Sequence, residues 1–261
     1  MNLLNVLLST FLSILLSAVF SILIVFGANA EQTKKSYSYA TYFVCETENE
    51  KAIDELIDKV YSPFYDGAVK DGTIDSWGWL AHQTGGNWRR ILYHTSDSVS
   101  QLLKAQKTIG ERMSKAIGDK PDALARGCST HDDYIWQFVT GSSAAGTNIP
   151  RGSAGLSTYF ECSFMGEETS DEIFKTHFAP IYNANVGEGK LTSWGWLSHV
   201  IGGKYRRLLT LTAENYDDLL ASQENILKQI YDSGDNKHAM EFVRVCTSHT
   251  DYLWDIQKET P

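Results

Sequence analysis

The chain has 261 residues and a formal net charge of −9, with no basic tail and no basic helix face. That balance argues against nucleic acid and anionic membrane surfaces as partners. Its four cysteines lack the CxxC spacing of a thiolate metal site.

The first 30 residues carry no charged side chain, and Leu3–Phe26 is almost wholly apolar. Ala28-Asn29-Ala30 has the small-x-small pattern of a cleavage site, so residues 1–30 are expected to be a secretory signal. No Lys or Arg precedes the run, which is long enough to span a bilayer at roughly 20 residues. An N-terminal anchor over residues 3–26 is therefore the alternative. Either reading places the remainder outside the cytoplasm, secreted or periplasmic.

Tyr37–Thr47 is rich in aromatic and β-branched residues and predicts a strand. A helix follows, with Ala52, Ile53, Leu56, Ile57, Val60 and Tyr61 forming one apolar stripe, interrupted at Pro63. Ile74–Gln83 and Asn87–Thr95 then predict a hairpin about Gly85-Gly86. That glycine pair lacks the strand-GxGxxG-helix context of a nucleotide loop. Val99, Leu102, Leu103, Ile109 and Met113 mark a second helix, and Leu124–Phe138 a closing strand.

Ser76–Arg90, SWGWLAHQTGGNWRR, returns as Ser193–Arg207, SWGWLSHVIGGKYRR, with ten of fifteen positions identical. The chain is thus two copies of one unit. Residues 31–138 form the first repeat, the Gly/Ser-rich stretch 139–155 a linker, and residues 156–261 the second repeat. The second copy repeats the pattern: strand Ser157–Phe164, a helix capped by Ser170 and interrupted at Pro180, the hairpin, a helix from Tyr216, and strand Phe242–Ile256.

The order β-α-β-β-α-β is the split-βαβ, ferredoxin-like arrangement. Cys45 maps onto Cys162 and Cys128 onto Cys246, so bridges within each copy, Cys45–Cys128 and Cys162–Cys246, are expected. The strands carry large groups on both faces, and a lone sheet covered by helices on one side leaves the other bare. Packing the sheets together covers both. The expected fold class is α+β: two tandem ferredoxin-like repeats packed sheet to sheet as a pseudo-dimeric barrel.

Two such units of this size resemble the dimeric α+β-barrel superfamily. It includes antibiotic-biosynthesis-monooxygenase-like domains, EthD-like proteins and haem-binding chlorite dismutases. The resemblance is at fold level and implies a site without locating it, since members include oxygenases, isomerases, haem proteins and domains without demonstrated activity.

Three polar features occur in both copies: His82 with His199, the arginine pairs Arg89-Arg90 and Arg206-Arg207, and CxxHxDYxW with His131, Asp133, His249 and Asp251. Residues two apart on a strand share a face, so His131 and Asp133 point the same way. With Cys45 opposite Cys128, Tyr42 falls on that face too, and Tyr159 does so in the second copy. A Tyr/His/Asp group of this kind handles protons, or contributes metal ligands together with His82. The plainer reading is a cross-strand hydrogen-bonded pair.

His82 and His199 precede Gly-Gly turns, where a histidine either binds the turn backbone or serves a site. Adjacent arginines point to opposite faces, so Arg90 and Arg207 are candidates to bind a carboxylate or phosphate in the cavity. Trp77, Trp79, Trp194 and Trp196 read as core; as a lining they favour a flat, apolar ligand. His94, His177 and His238 have no histidine counterpart in the other copy.

The leading expectation is an exported, disulfide-stabilised barrel binding a small molecule, apolar or anionic, in or beside the barrel. The second is an oxygenase- or isomerase-like enzyme using these histidines as base or as metal or haem ligands. The third is a structural domain without a pocket. The sequence identifies no cofactor.

Overall fold

The computed structural model describes residues 35–118, 122–144, 151–232 and 234–260. The expected signal or anchor over residues 1–30, and residues 145–150 of the expected linker, lie outside that set. No helix among the described residues is long and apolar enough to cross a membrane.

Eight antiparallel strands close into one barrel. The first repeat supplies β1 (Tyr37–Cys45), β2 (Ser76–Gly85), β3 (Arg90–Ser96) and β4 (Cys128–Ser143). The second supplies β5 (Ala154–Cys162), β6 (Ser193–Ile201), β7 (Arg207–Ala213) and β8 (Cys246–Thr260). The order around the barrel is β1-β3-β2-β8-β5-β7-β6-β4. Each repeat thus forms the four-stranded split-βαβ sheet, and the sheets join edge to edge through β2–β8 and β4–β6. This is the pseudo-dimeric α+β barrel expected from the duplication. Strands β4 and β5 take up both ends of the stretch read as linker, because β4 continues pairing with β6 through Gly141 opposite Gly195.

Helices cover the outside. The first repeat carries α1 (Glu50–Leu56), α2 (Ser62–Lys70), α3 (Val99–Ile117) and α4 (Ala123–Gly127). The second carries α5 (Glu167–Ile173), α6 (Ala179–Gly187), α7 (Tyr216–Tyr231) and α8 (Lys237–Val245). The prolines do not break the first helices as expected. A π-helical turn, Ile57–Tyr61 or Phe174–Phe178, comes just before each proline-bearing helix start and absorbs the missing N–H, so the helical run continues. Ser170 is likewise not a cap: a 3-10 turn at Phe164–Gly166 starts the helix earlier, and the buried Ser170 hydroxyl donates to the Glu167 carbonyl at 2.7 Å. The closing strands begin later than expected, at the cysteines, because Ala239 and Phe242 use helical spacing to cover the outer core.

The described residues form three cores: one between helices and sheet in each repeat, and one inside the barrel. Alternation along β2 shows the division. Trp77 and Trp79 point to the helices, where their indoles donate to Asp66 and Asp54 at 2.8 Å, while Leu80 points inward. Asp54 also accepts both Nε (2.8 Å) and Nη2 (2.7 Å) of the buried Arg90. Asp171 repeats this with Trp196 and Arg207 at 2.7–2.8 Å. One helix carboxylate thus ties each sheet to its first helix by a forked, charge-assisted contact. The disulfides are Cys45–Cys128 and Cys162–Cys246, separated by 83 and 84 residues. The chain-entropy model assigns each roughly 4 kcal/mol.

Removing the carboxylate leaves the Trp79 indole without its acceptor and the buried Arg90 with Glu50 as its remaining ion partner. Asp54→Ala is expected to lower unfolding free energy by about 3 kcal/mol, as is Asp171→Ala, measured by urea denaturation. A loss below ~1 kcal/mol would remove the clamp from the account.

His94 is 1% exposed, and burial lowers its pKa to about 4. The folded value lies below the unfolded one, so its contribution is complete above about pH 6.5 and is lost as pH falls toward 4. Leu211 occupies the matching register position in the second repeat. His94→Leu should therefore fold, and should reduce the stability lost between pH 7 and pH 4.5 by about 2 kcal/mol. Equal losses in both proteins would contradict this.

Candidate functional site

The barrel interior divides into a plugged end and an open end. At the plugged end Trp88 stacks on Tyr42 at 4.3 Å and on Tyr252 at 5.3 Å, with Tyr134 and Tyr205 packed edge-on at 6.1 and 5.8 Å. The Trp88 indole donates to Asp132 at 2.7 Å, and the Tyr205 hydroxyl to Thr250 at 2.9 Å. The Trp88 indole and the Tyr205 hydroxyl are thereby satisfied, as most buried polar groups are.

Toward the other end lies a cavity of about 400 Å³. Tyr42, Tyr159, Trp136 and Trp254 form its floor, and Leu80, Ile91, Leu197, Leu208 and Ile256 its walls. Arg151 and Glu259 are the charged residues of the lining, and they pair with each other, Arg151 Nε donating to Glu259 at 2.9 Å. The Tyr93 hydroxyl bridges them, donating to Glu259 and accepting from Arg151, whose guanidinium lies 5.9 Å from its ring.

The repeats contribute unequally. A Cβ at Gly78 would strike the Tyr93 ring, whereas at the matching Gly195 it would sit 3.1 Å from the smaller Thr210. The space Tyr93 fills in the first repeat is less tightly filled in the second, where Thr210 and the edge of the Phe138 ring, 3.4 Å from that Cβ, border it. Burial raises the pKa of both floor tyrosines well above the ordinary value, so their hydroxyls stay protonated.

Of the residues expected to form a site, Tyr42 and Tyr159 line this cavity, their rings 5.6 Å apart. They are not on the His-Asp face. A bulge leaves Cys45 opposite Cys128 but Val44 opposite Thr130, and this one-residue shift puts Tyr42 opposite Asp132. The second repeat has the same shift, placing Tyr159 opposite Thr250. His131 and Asp133 therefore lie on the outer surface, 3.5 Å apart, where Asp133 accepts from Thr41 at 2.8 Å. His249 and Asp251 match them at 3.4 Å, with Thr158 donating to Asp251.

Arg90 and Arg207 are held outside the barrel, under the helices, by Asp54 and Asp171, with Glu50 and Glu167 adding ion pairs. They do not face the cavity, because their parity on β3 and β7 is that of the outer core. His82 and His199 sit beside the plug. Each Nδ1 lies within hydrogen-bond distance of an arginine, Arg89 at 2.5 Å and Arg206 at 2.8 Å. Arginine only donates, so each ring is neutral with its proton on Nε2. Burial, then the neighbouring arginine, lowers both pKa values.

Among the described residues the lining contains no His, Cys or Met, and its floor tyrosines, Tyr42 and Tyr159, are held protonated by burial. That donor set does not fit haem iron. Among the described residues, no group of three or more His, Cys, Asp or Glu is arranged for a metal ion.

No protein-family model matches the sequence, and no curated protein is similar to it in sequence. Solved structures are similar in fold. A monooxygenase-like protein from Lactobacillus acidophilus matches with a TM-score of 0.57 and 5% identity, covering 87% of this chain and 96% of that one. An anthrone oxidase-like protein matches at 0.56 and 11%, covering 88% and 94%. A mutant chlorite dismutase from Candidatus Nitrospira defluvii, in complex with cyanide, matches at 0.51 and 9%, covering 87% and 91%. The shared property is the dimeric α+β-barrel fold.

Because the His-Asp pairs face away from the cavity, His131→Ala and His249→Ala should leave uptake of the apolar fluorescent probe N-phenyl-1-naphthylamine within twofold of the unaltered protein. Stability should change by no more than about 0.5 kcal/mol. Loss of probe binding in either variant would return these residues to the site.

Proposed function

We propose that this protein binds one small, neutral, predominantly apolar molecule inside its barrel. The observation that carries the reading is the cavity, with aromatic and aliphatic walls, a few polar groups and no uncompensated charge. An eight-stranded barrel is the size that holds one small ligand.

A charged ligand would enter a region where Arg151, the one arginine of the lining among the described residues, is already neutralised by Glu259. That cost favours an apolar ligand over an anionic one. The outward His-Asp pairs give no support for a base beside the cavity, so the reading assigns no reaction. The two disulfides support export to an oxidising compartment, secreted or periplasmic, with residues 1–30 as the signal or anchor.

The test fills the open half with the side chain the other repeat already uses. Thr210→Tyr, facing Gly195 as Tyr93 faces Gly78, should abolish most of the cavity while keeping the fold. N-phenyl-1-naphthylamine should bind the unaltered protein with enhanced emission and bind Thr210→Tyr at least tenfold more weakly, with unchanged circular dichroism. Equal binding would place the probe elsewhere and sink the proposal.

A further inference from the structure

We infer that the cavity's ligand carries a carbonyl-type hydrogen-bond acceptor seated on the indole N–H of Trp254, and so binds in one orientation. This rests on the cavity being the binding site.

The two floor tryptophans occupy matching positions but are not equally satisfied. Trp136 Nε1 donates to the Tyr42 hydroxyl oxygen at 3.0 Å. Trp254 is 0% exposed, lines the cavity, and its Nε1 has no hydrogen-bond partner. A buried donor without an acceptor is costly, and a cavity beside it gives an incoming atom somewhere to sit.

The halves of the lining also differ in sequence. Ser157, two residues before Tyr159 on β5, stands where the first repeat has Ala40. Trp254 belongs to the second repeat, where Thr210 stands in place of Tyr93.

The chemistry that fits is a neutral apolar body bearing one ketone, aldehyde, ester or amide oxygen. A carboxylate is disfavoured because Arg151, the one cation in the lining among the described residues, is paired with Glu259. A hydrocarbon would enter but leave the indole unsatisfied.

The experiment uses two probes of nearly equal shape, 2-acetylnaphthalene and 2-isopropenylnaphthalene, which differ in C=O against C=CH2. Each displaces N-phenyl-1-naphthylamine from the full chain. The ketone should bind about fivefold more tightly, the ratio supplied by one net hydrogen bond of about 1 kcal/mol. Trp254→Phe should remove that preference and leave the alkene's affinity unchanged. In the unaltered protein, the Trp254 indole N–H proton resonance should move downfield with the ketone and not with the alkene. That measurement decides the matter if Trp254→Phe does not fold. Equal affinities, a preference surviving in Trp254→Phe, or an unmoved resonance overturns the inference alone. If neither probe displaces the dye, the cavity reading fails and the inference falls with it.

Discussion

The two ladders between repeats, β2 with β8 and β4 with β6, are the constraint on which the rest of the molecule depends. A single repeat would be a four-stranded sheet with helices on one face, aromatic side chains bare on the other, and two open edges. Open edges and exposed apolar faces invite association. Joining edge to edge removes both liabilities at once and creates an interior neither repeat possesses alone. Tyr42 and Tyr159, one from each repeat, meet only because those ladders close.

The features that duplication preserved most visibly serve the outer layer. Arg90 and Arg207 are almost fully buried, and burying a guanidinium is costly unless a carboxylate meets it with good geometry. Asp54 and Asp171 do so while also accepting the Trp79 and Trp196 indoles. The Trp-Gly-Trp strand, the arginine pair and the helix carboxylate form one unit, and losing any member would leave the others unsatisfied. Similarity between copies therefore marks how a helix is fastened to a sheet. Differences between copies, Tyr93 against Thr210 and Ala40 against Ser157, shape the cavity.

Much of the fold was legible in the sequence, because an offset of 117 residues announces a duplicated unit and apolar periodicity announces its elements. The offset also selects the disulfides. The side-chain placement was less legible for one physical reason. Strand faces alternate every residue, so a single extra residue between Cys128 and Thr130 moved His131 and Asp133 from the cavity to the surface. Nothing in the pattern signals that bulge. Asp54 and Glu50 had a readable signal, since Asp171 and Glu167 stand 117 residues on. The mouth residues Arg151 and Glu259 had none, because they meet only when the strand ends converge.

Asymmetry inside the barrel bears on how a doubled protein could hold one ligand. A site straddling the pseudo-twofold axis with identical halves would offer two equivalent poses, each blocked by the other's contacts. The Trp136 indole reaches the Tyr42 hydroxyl while the Trp254 indole has no partner, and this already breaks that equivalence. Ser157 in place of Ala40 and Thr210 in place of Tyr93 are two further differences in the second repeat. Three small differences point to one half of the interior, and a ligand occupying that half meets a donor, a void and hydrocarbon walls together. The outer layer keeps the two repeats alike because each sheet needs its own helices. The interior need not be alike, because it is shared.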